Sequence, residues 1–292
     1  AAISKQIKAL IDLGLDVYSV NGKGYKLAQR LDLIDGEILK QEHNEYPIEV
    51  HGIIDSTNSY LTNLIRSDTT VVDGHTVIAE CQTAGRGRRG RSWVSPFGSQ
   101  IYLSRYLQLE DGLSGAGGVS LAVGIAVQRV IQRLVSQKVE LKWPNDVLIH
   151  GRKIAGILVE AEGQSEGLCH LVIGIGLNVC MPDSQAQKID QAWADVAEFH
   201  DGTLNRTKIC QELTHELHSV LNEYKEKALS ELADEWNKLN AYKNQQVKLT
   251  SAKSEKTGKC LGIDHTGALI LEDASTGSTQ KIYGGELSLR KV

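Results

Sequence analysis

The sequence predicts an α/β (α+β) protein: a mixed sheet with helices, followed by a small all-β unit and preceded by a helix with a two-stranded ribbon. Three observations carry the prediction. Between about residues 35 and 240, short apolar runs of strand length alternate with helical stretches. From Val119 to Leu134 the apolar residues Val119, Ala122, Val123, Ala126, Val127, Val130, Ile131 and Leu134 fall on one stripe at helical spacing. From about residue 241 onward only short strands remain, separated by turn residues.

Taken in order, Ala2, Ile3, Ile7, Leu10 and Ile11 recur at helical spacing and Gly14 stops the helix. Val17–Val20 and Lys23–Leu27 then flank Asn21-Gly22, a pair that favours a type I′ hairpin turn because both of its residues accept positive φ. A helix followed at once by a ribbon is the second half of a winged helix-turn-helix. Residues 1–34 are therefore expected to hold its recognition helix and wing, with the preceding helices upstream of Ala1. Residues 35–240 form the expected central domain. Its strands are Glu49–Ile54, Thr76–Glu80, Ile101–Leu107, Val139–Lys142, Val147–Ile149, Lys153–Glu160 and Leu171–Leu177. A second helix carries Ile209, Leu213, Leu217, Val220, Leu221, Tyr224 and Ala228. So many strands with so few helices point to a sheet covered on one face. Residues 241–292 form the barrel-like unit, with strands at Val247–Thr250, Lys259–Ile263, Ala268–Leu271, Gln280–Tyr283 and Leu287–Arg290.

Composition excludes several classes. With 292 residues the chain has room for about two domains. Apolar residues are 41% and charged residues 23%, which excludes a disordered or collagen-like chain. The net charge of -4 argues against a uniformly basic nucleic-acid binder and leaves room for a local basic site. No apolar run reaches the roughly 18 residues of a membrane span. The opening AAISKQIKAL is amphipathic rather than a signal peptide. Five scattered cysteines without a Cys-x-x-Cys argue against a disulfide framework or a thiolate metal site, and fit a reducing, cytoplasmic setting.

Four segments carry chemistry. Gly85-Arg86-Gly87-Arg88-Arg89-Gly90-Arg91 puts three glycines and four arginines into seven residues. Glycine lets a backbone approach a ligand closely, and arginine offers a permanent charge with forked donors for phosphate or carboxylate. Because the segment lies between two strands, it is expected to be a lid that an anion orders, although a solvated basic loop has the same composition. Lys142-Trp143-Pro144-Asn145-Asp146 ends a strand in a turn, and a hairpin through His150-Gly151-Arg152 delivers Lys153 to the next strand. Lys153 is either a site residue or a strand-edge lysine. Gly174 and Gly176 alternate in Val172–Asn178 and bare one face of a strand, for a ligand or for close packing. Asp55-Ser56-Thr57-Asn58 stands where a strand gives way to a helix, and fits either a helix cap or a polar site.

Together these segments strongly resemble biotin–protein ligase, most closely the bifunctional bacterial type that also represses biotin synthesis genes. The likeness runs through essentially the whole chain, to the final Gly284-Gly285-Glu286-Leu287-Ser288-Leu289-Arg290. It implies a class II synthetase-like catalytic domain and an SH3-like C-terminal barrel. The implied reaction joins biotin and ATP, with Mg²⁺ on the phosphates, into biotinyl-5′-adenylate. Biotin then passes to a lysine of the biotin carboxyl carrier protein of acetyl-CoA carboxylase.

The resemblance places Ser56, Thr57, Asn58, Gln82, Gly85, Arg86, Gly87, Arg88 and Lys153 around biotin, with Trp93, Gly174 and Gly176 as its apolar wall. Arg88, Arg91, Lys142, Asn145, Asn178 and Trp193 are expected at the nucleotide. Arg88, Arg91, Lys142 and Lys153 supply positive charge to the reacting anions. Asp146 is the candidate base for the acceptor lysine. No resident metal ligand is expected. Operator DNA is an expected partner only if the N-terminal domain is complete, and a ligand-linked homodimer is a further expectation. Three other readings fit parts of the sequence. A lipoate–protein ligase shares the broad fold but gives Ser56, Thr57 and Gln82 less to bind. A repressor without activity would need a complete DNA-binding domain. An Arg-Gly RNA-binding module would ignore biotin and ATP.

Overall fold

The computed structural model describes residues 2–28, 30–42, 46–67, 70–110, 112–163, 167–251, 255–273, 275–284 and 287–292. Of the motif residues named above, Gly285 and Glu286 lie outside them.

The N-terminal unit is helix α1 (Ala2–Asp12) and the antiparallel ribbon β1 (Val17–Val20) and β2 (Gly24–Leu27). Gly14 ends the helix at a φ of 90°. The ribbon turn differs from expectation. Val20 pairs with Gly24, so the loop has three residues, and of the Asn-Gly pair only Gly22 takes positive φ. The two-residue turn with both φ positive occurs instead at His150-Gly151, at 50° and 73°.

A seven-stranded mixed sheet follows, built from β3 (Ile48–Ile54), β4 (Thr76–Gln82), β5 (Ile101–Leu109), β6 (Val139–Lys142), β7 (Asp146–Ile149), β8 (Arg152–Gly163) and β9 (Cys169–Leu177). Its spatial order is β3-β4-β5-β9-β8-β7-β6, with β3 and β4 parallel and the other neighbours antiparallel. Helices α4 (Val119–Leu134), α6 (Arg206–Lys227) and α7 (Leu232–Leu239) pack on one face, together with the short α2 (Gly36–Glu42), and the four-residue α5 (Asp183–Ala186) lies in the connection from β9 to α6. The apolar stripe of α4 is buried as its spacing requires.

One-sided coverage is corrected by α3 (Thr57–Arg66). It lies on the opposite face, where Leu61 packs with Val77, Tyr106 and Val172. Those strand residues alternate with Ile78, Leu107 and Ile173 of the main core, so the sheet there is buried on both sides.

The last unit is an antiparallel sheet in the order β13-β12-β11-β10-β14, made of β10 (Gln246–Thr250), β11 (Glu255–Ile263), β12 (Leu269–Asp273), β13 (Thr279–Ile282) and β14 (Ser288–Lys291). It shares a core with the central domain. Trp143 donates Nε1 to the Gly267 carbonyl at 3.2 Å, and Asn237 of α7 exchanges two hydrogen bonds with the Ile263 backbone. Among the described residues no helix is long and apolar enough to cross a membrane.

Candidate functional site

The Gly-Arg segment leaves β4 and folds into a small hairpin. Trp93 N–H donates to the Gly85 carbonyl at 2.8 Å, and Gly87 N–H to the Arg91 carbonyl at 2.7 Å. Arg88–Gly90 form the tip, where Arg89 and Gly90 both take positive φ. A Cβ on Gly85 would approach Ser95 Oγ to 2.6 Å and the Trp93 carbonyl to 2.7 Å, so Gly85 serves the base of the hairpin. It is not among the residues that line the adjoining cavity. Two arginines fasten the hairpin to the sheet. Arg86 Nη2 meets Glu160 Oε2 at 2.9 Å, and Arg88 Nη1 donates to Asn145 Oδ1 at 2.9 Å.

One wall beside this hairpin is polar and uncharged. Ser56 caps α3 by accepting from Ser59 N–H, so the helix-cap reading holds, and the same residue lines the adjoining cavity. Gln82 Oε1 accepts from the Thr57 N–H and hydroxyl, while its Nε2 donates to Ser95 Oγ. Ser104 Oγ bridges Thr57 and Asn58. Asn58 donates to Glu160 Oε2 at 2.8 Å, so its amide is engaged mainly by the protein.

The bare faces of Gly174 and Gly176 are also occupied. A Cβ on Gly174 would overlap the Asn58 amide, and one on Gly176 would overlap the Trp93 ring. The cavity bounded by Ser56, Gln82, Arg86, Trp93 and Gly176 therefore has an open volume of only about 50 Å³. A larger guest requires Trp93 to move. The Trp93 Nε1 is buried and has no hydrogen-bond partner.

The next chamber is cationic, with a volume of about 610 Å³. Lys142 Nζ lies 2.9 Å from Asp146 Oδ2, and Lys153 Nζ lies 2.7 Å from Asp146 Oδ1. Burial alone would raise the Asp146 pKa, but Lys153 and Lys142 outweigh it and hold the carboxyl below its ordinary value. A carboxylate so held is a poor proton acceptor. The geometry argues against the expected base role of Asp146 and for a role in orienting two lysines. Arg91 lines the same chamber, and Lys153 Nζ also stands 5.2 Å from the Trp93 ring centre. Asn178 and Trp193 line a small neighbouring cavity with Lys153, and Trp193 is half-buried there rather than a core residue. Asn178 donates to the Ala194 carbonyl at 3.0 Å, which ties β9 to the segment bearing Trp193.

Apart from Gly85, every expected residue lines one of these three adjoining cavities. Sequence reasoning missed Gly156, Ile157 and Leu158, which line the first cavity, and Ser104, which orders it. Gly156 is an isolated glycine in an apolar run, a signal that was present; Ser104 shares its strand with Arg105 and Gln108, so the sequence does not single it out. Lys188, Asp190, Tyr242 and Arg290 also line the cationic chamber, brought there by loops and by the C-terminal sheet; Arg290 ends the C-terminal motif noted in the sequence, and nothing there marks the other three. Among the described residues no three His, Cys, Asp or Glu side chains gather as a metal site. Asp146 is committed to its lysines, so Asp190 is the carboxylate left for a cation that arrives on a polyphosphate.

Comparison with known proteins gives concordant results. Residues 50–178 match the biotin/lipoate A/B protein ligase family, and residues 243–290 match the biotin protein ligase C-terminal domain. The bifunctional ligase/repressor BirA of Salmonella typhimurium is 40% identical over 292 residues, covering 100% of this chain and 89% of that protein. The biotin–[acetyl-CoA-carboxylase] ligase of Mycobacterium tuberculosis is 32% identical over 221 residues, covering 74% of this chain and 79% of that protein. Among solved structures, the Aquifex aeolicus biotin protein ligase in complex with biotin and ATP aligns with a TM-score of 0.70 at 26% identity, covering 84% of this chain and 99% of that chain.

Proposed function

The chain belongs to the biotin protein ligase family, and from that premise we propose how its own residues carry the reaction. It is an ATP-dependent biotin ligase of the bifunctional ligase/repressor kind. The observation that carries our reading is the junction at Arg88 and Asn145. These two residues line both the narrow polar cavity and the cationic chamber.

In this reading the neutral ureido head of biotin pairs with Ser56, Thr57 and Gln82. Trp93 swings from Gly176 to lie along the apolar body. The carboxylate then reaches Arg88 and Lys153, and the phosphates of ATP fill the chamber of Arg91, Lys142 and Lys153. The carboxylate attacks the α-phosphate and pyrophosphate leaves. The fixed cations offset the repulsion between two anions and the charge that grows in the transition state. Asn145, Asn178 and Trp193 face the nucleotide. Mg²⁺ bound to the phosphates would neutralise part of their charge, with Asp190 as the nearby carboxylate. The hairpin over the junction keeps water from the mixed anhydride.

The acceptor is the lysine of a biotin carboxyl carrier protein. Repression would use α1 and the ribbon on operator DNA, with the adenylate as corepressor and a ligand-linked homodimer as the binding form.

Incubation with ATP, Mg²⁺ and biotin, followed by native mass spectrometry, should reveal bound biotinyl-adenylate. Lys153→Ala should abolish the adenylate and leave circular dichroism unchanged. A tenfold excess of lipoate should not compete. Absence of adenylate on the unaltered chain, or displacement of biotin by lipoate, would refute this reading.

A further inference from the structure

Val159 of β8 packs against the main core, so its neighbours Leu158 and Glu160 point to the other face of the sheet, where α3 lies. Two carboxylates on that face hold the helix. Glu162 pairs with Arg66 in its last turn, and Glu160 Oε2 accepts from Asn58 Nδ2 in its first turn at 2.8 Å. The two contacts differ in what they reach. The Arg66 pair is exposed and joins only strand and helix. Glu160 Oε2 also meets Arg86 Nη2 at 2.9 Å, so one oxygen ties the first turn of α3 to the stem of the Gly-Arg hairpin. Asn58 and Arg86 line the narrow polar cavity, and Glu160 stands behind them, outside its lining.

We infer that Glu160 is a positioning residue: it sets the hydrogen-bond polarity of the polar cavity through Asn58 and Ser104. The inference rests on the ligase reading and deepens it, because it names what that cavity presents to the ureido ring. A carboxylate facing an arginine has acceptors only. Asn58 must therefore give it the amide nitrogen and turn Oδ1 to Ser104, whose Oγ lies 2.5 Å away. Ser104 is buried and owns one proton, and a carbonyl oxygen can only accept it. Ser104 Oγ is then an acceptor toward Thr57 Oγ1, 2.7 Å away. From the other end, Ser95 donates to the Trp93 carbonyl and accepts from Gln82 Nε2, which leaves Gln82 Oε1 facing Thr57. Thr57 thus spends its one proton on this wall, at Ser104 or at Gln82, and shows only lone pairs to the cavity. A ring N–H finds an acceptor there, and a group that only accepts finds none. Without an acceptor at position 160 the Asn58 amide is free to turn over. Ser104 then donates to Thr57 and occupies a lone pair meant for the ligand.

Three variants separate this role from simple docking of α3. Glu160→Leu removes the acceptor. Glu160→Gln keeps it, because Arg86 and Asn58 both donate and so draw the amide oxygen inward. Glu162→Leu breaks the other tether between the same strand and helix. In ATP–pyrophosphate exchange, Glu160→Leu should raise the KM for biotin about tenfold, the size of one mis-set hydrogen bond, with kcat within about twofold of the unaltered chain. Glu160→Gln should recover most of that loss, and Glu162→Leu should leave the KM unchanged. An unchanged KM in Glu160→Leu would overturn the role. So would a glutamine as impaired as the leucine, since charge rather than polarity would then matter, or an equal rise in Glu162→Leu, since docking of the helix would then explain both. Failure of the unaltered chain to catalyse exchange would instead remove the ligase reading, and this inference with it.

Discussion

At the scale of single residues, Asp146 shows how one carboxylate organises a cationic site. Each of its oxygens holds one lysine, so Lys142 and Lys153 are presented in fixed directions and their rotamer freedom is given up on folding rather than on ligand binding. Its pKa is depressed in the folded chain, against an ordinary value of about 3.9. A depressed carboxyl pKa stabilises the fold above the unfolded value, and the contribution is lost as pH falls through the folded one. Below about pH 4 the native chain should therefore lose stability more steeply than Asp146→Asn, which has no such proton to take up. Urea midpoints of both proteins between pH 7 and 3 read this directly, and parallel curves would contradict it. Alone in its strand, Lys153 reads more readily as a strand-edge lysine than as a site residue, and the hairpin that brings Asp146 beneath it supports the second reading.

At the scale of elements, the Gly-Arg hairpin joins both halves of the site. Its composition marks it in the sequence, but its anchoring does not follow from composition. Arg86 reaches Glu160 on β8, Arg88 reaches Asn145 at the turn before β7, and its C-terminal stem binds the N-terminal unit through Phe97 N–H to the Leu13 carbonyl at 2.9 Å. Arg88→Gly removes the tether at the junction, and free adenylate should then escape into solution several-fold faster with carrier labelling reduced. Chromatography of the released adenylate provides the measure; an unchanged release rate would exclude a retaining role. The alternating glycines teach the opposite lesson. Gly174 and Gly176 were legible as a bare strand face, yet the face is packed by Asn58 and Trp93 from other elements. The spacing tells that something lies close, not what lies there.

At the scale of the whole molecule, a buried ion pair joins distant parts of the chain. Arg206 at the start of α6 meets Glu80 of β4 at 2.7 Å and also donates to the carbonyls of Asp32 and Gln100. Glu80 accepts in turn from Ile34 N–H. Linker, sheet and helix converge on one pair with side-chain exposures of 3% and 6%. Removing one partner strands the other charge without solvent, a cost of about 3–5 kcal/mol. Arg206→Met should lower unfolding stability by that order, and adding Glu80→Gln should recover part of it. Equilibrium denaturation tests both variants, and an unaltered midpoint for Arg206→Met would refute the account. The same scale governs the site. The two sheets share one core, so the end of the chain can bring Leu287, Ser288, Leu289 and Arg290 to a chamber walled elsewhere mainly by the central domain.

The sequence by itself determined the local order of this protein. The periodicity of Val119–Leu134 set a helix, the strand runs set the sheets to within a few residues, and the motifs around Gly85–Arg91, Lys142–Asp146 and Lys153 pointed to much of the lining of the candidate site. These signals are short-range, since residue spacing fixes which side chains share a face. Tertiary structure alone decided the rest: the second covered face under α3, the lysine pair on Asp146, the Trp93 ring on Gly176, and the lining of two cavities by the same Arg88 and Asn145. Each depends on residues dozens of positions apart, and their juxtaposition is set by sheet order and packing, which leave no periodic trace in the chain.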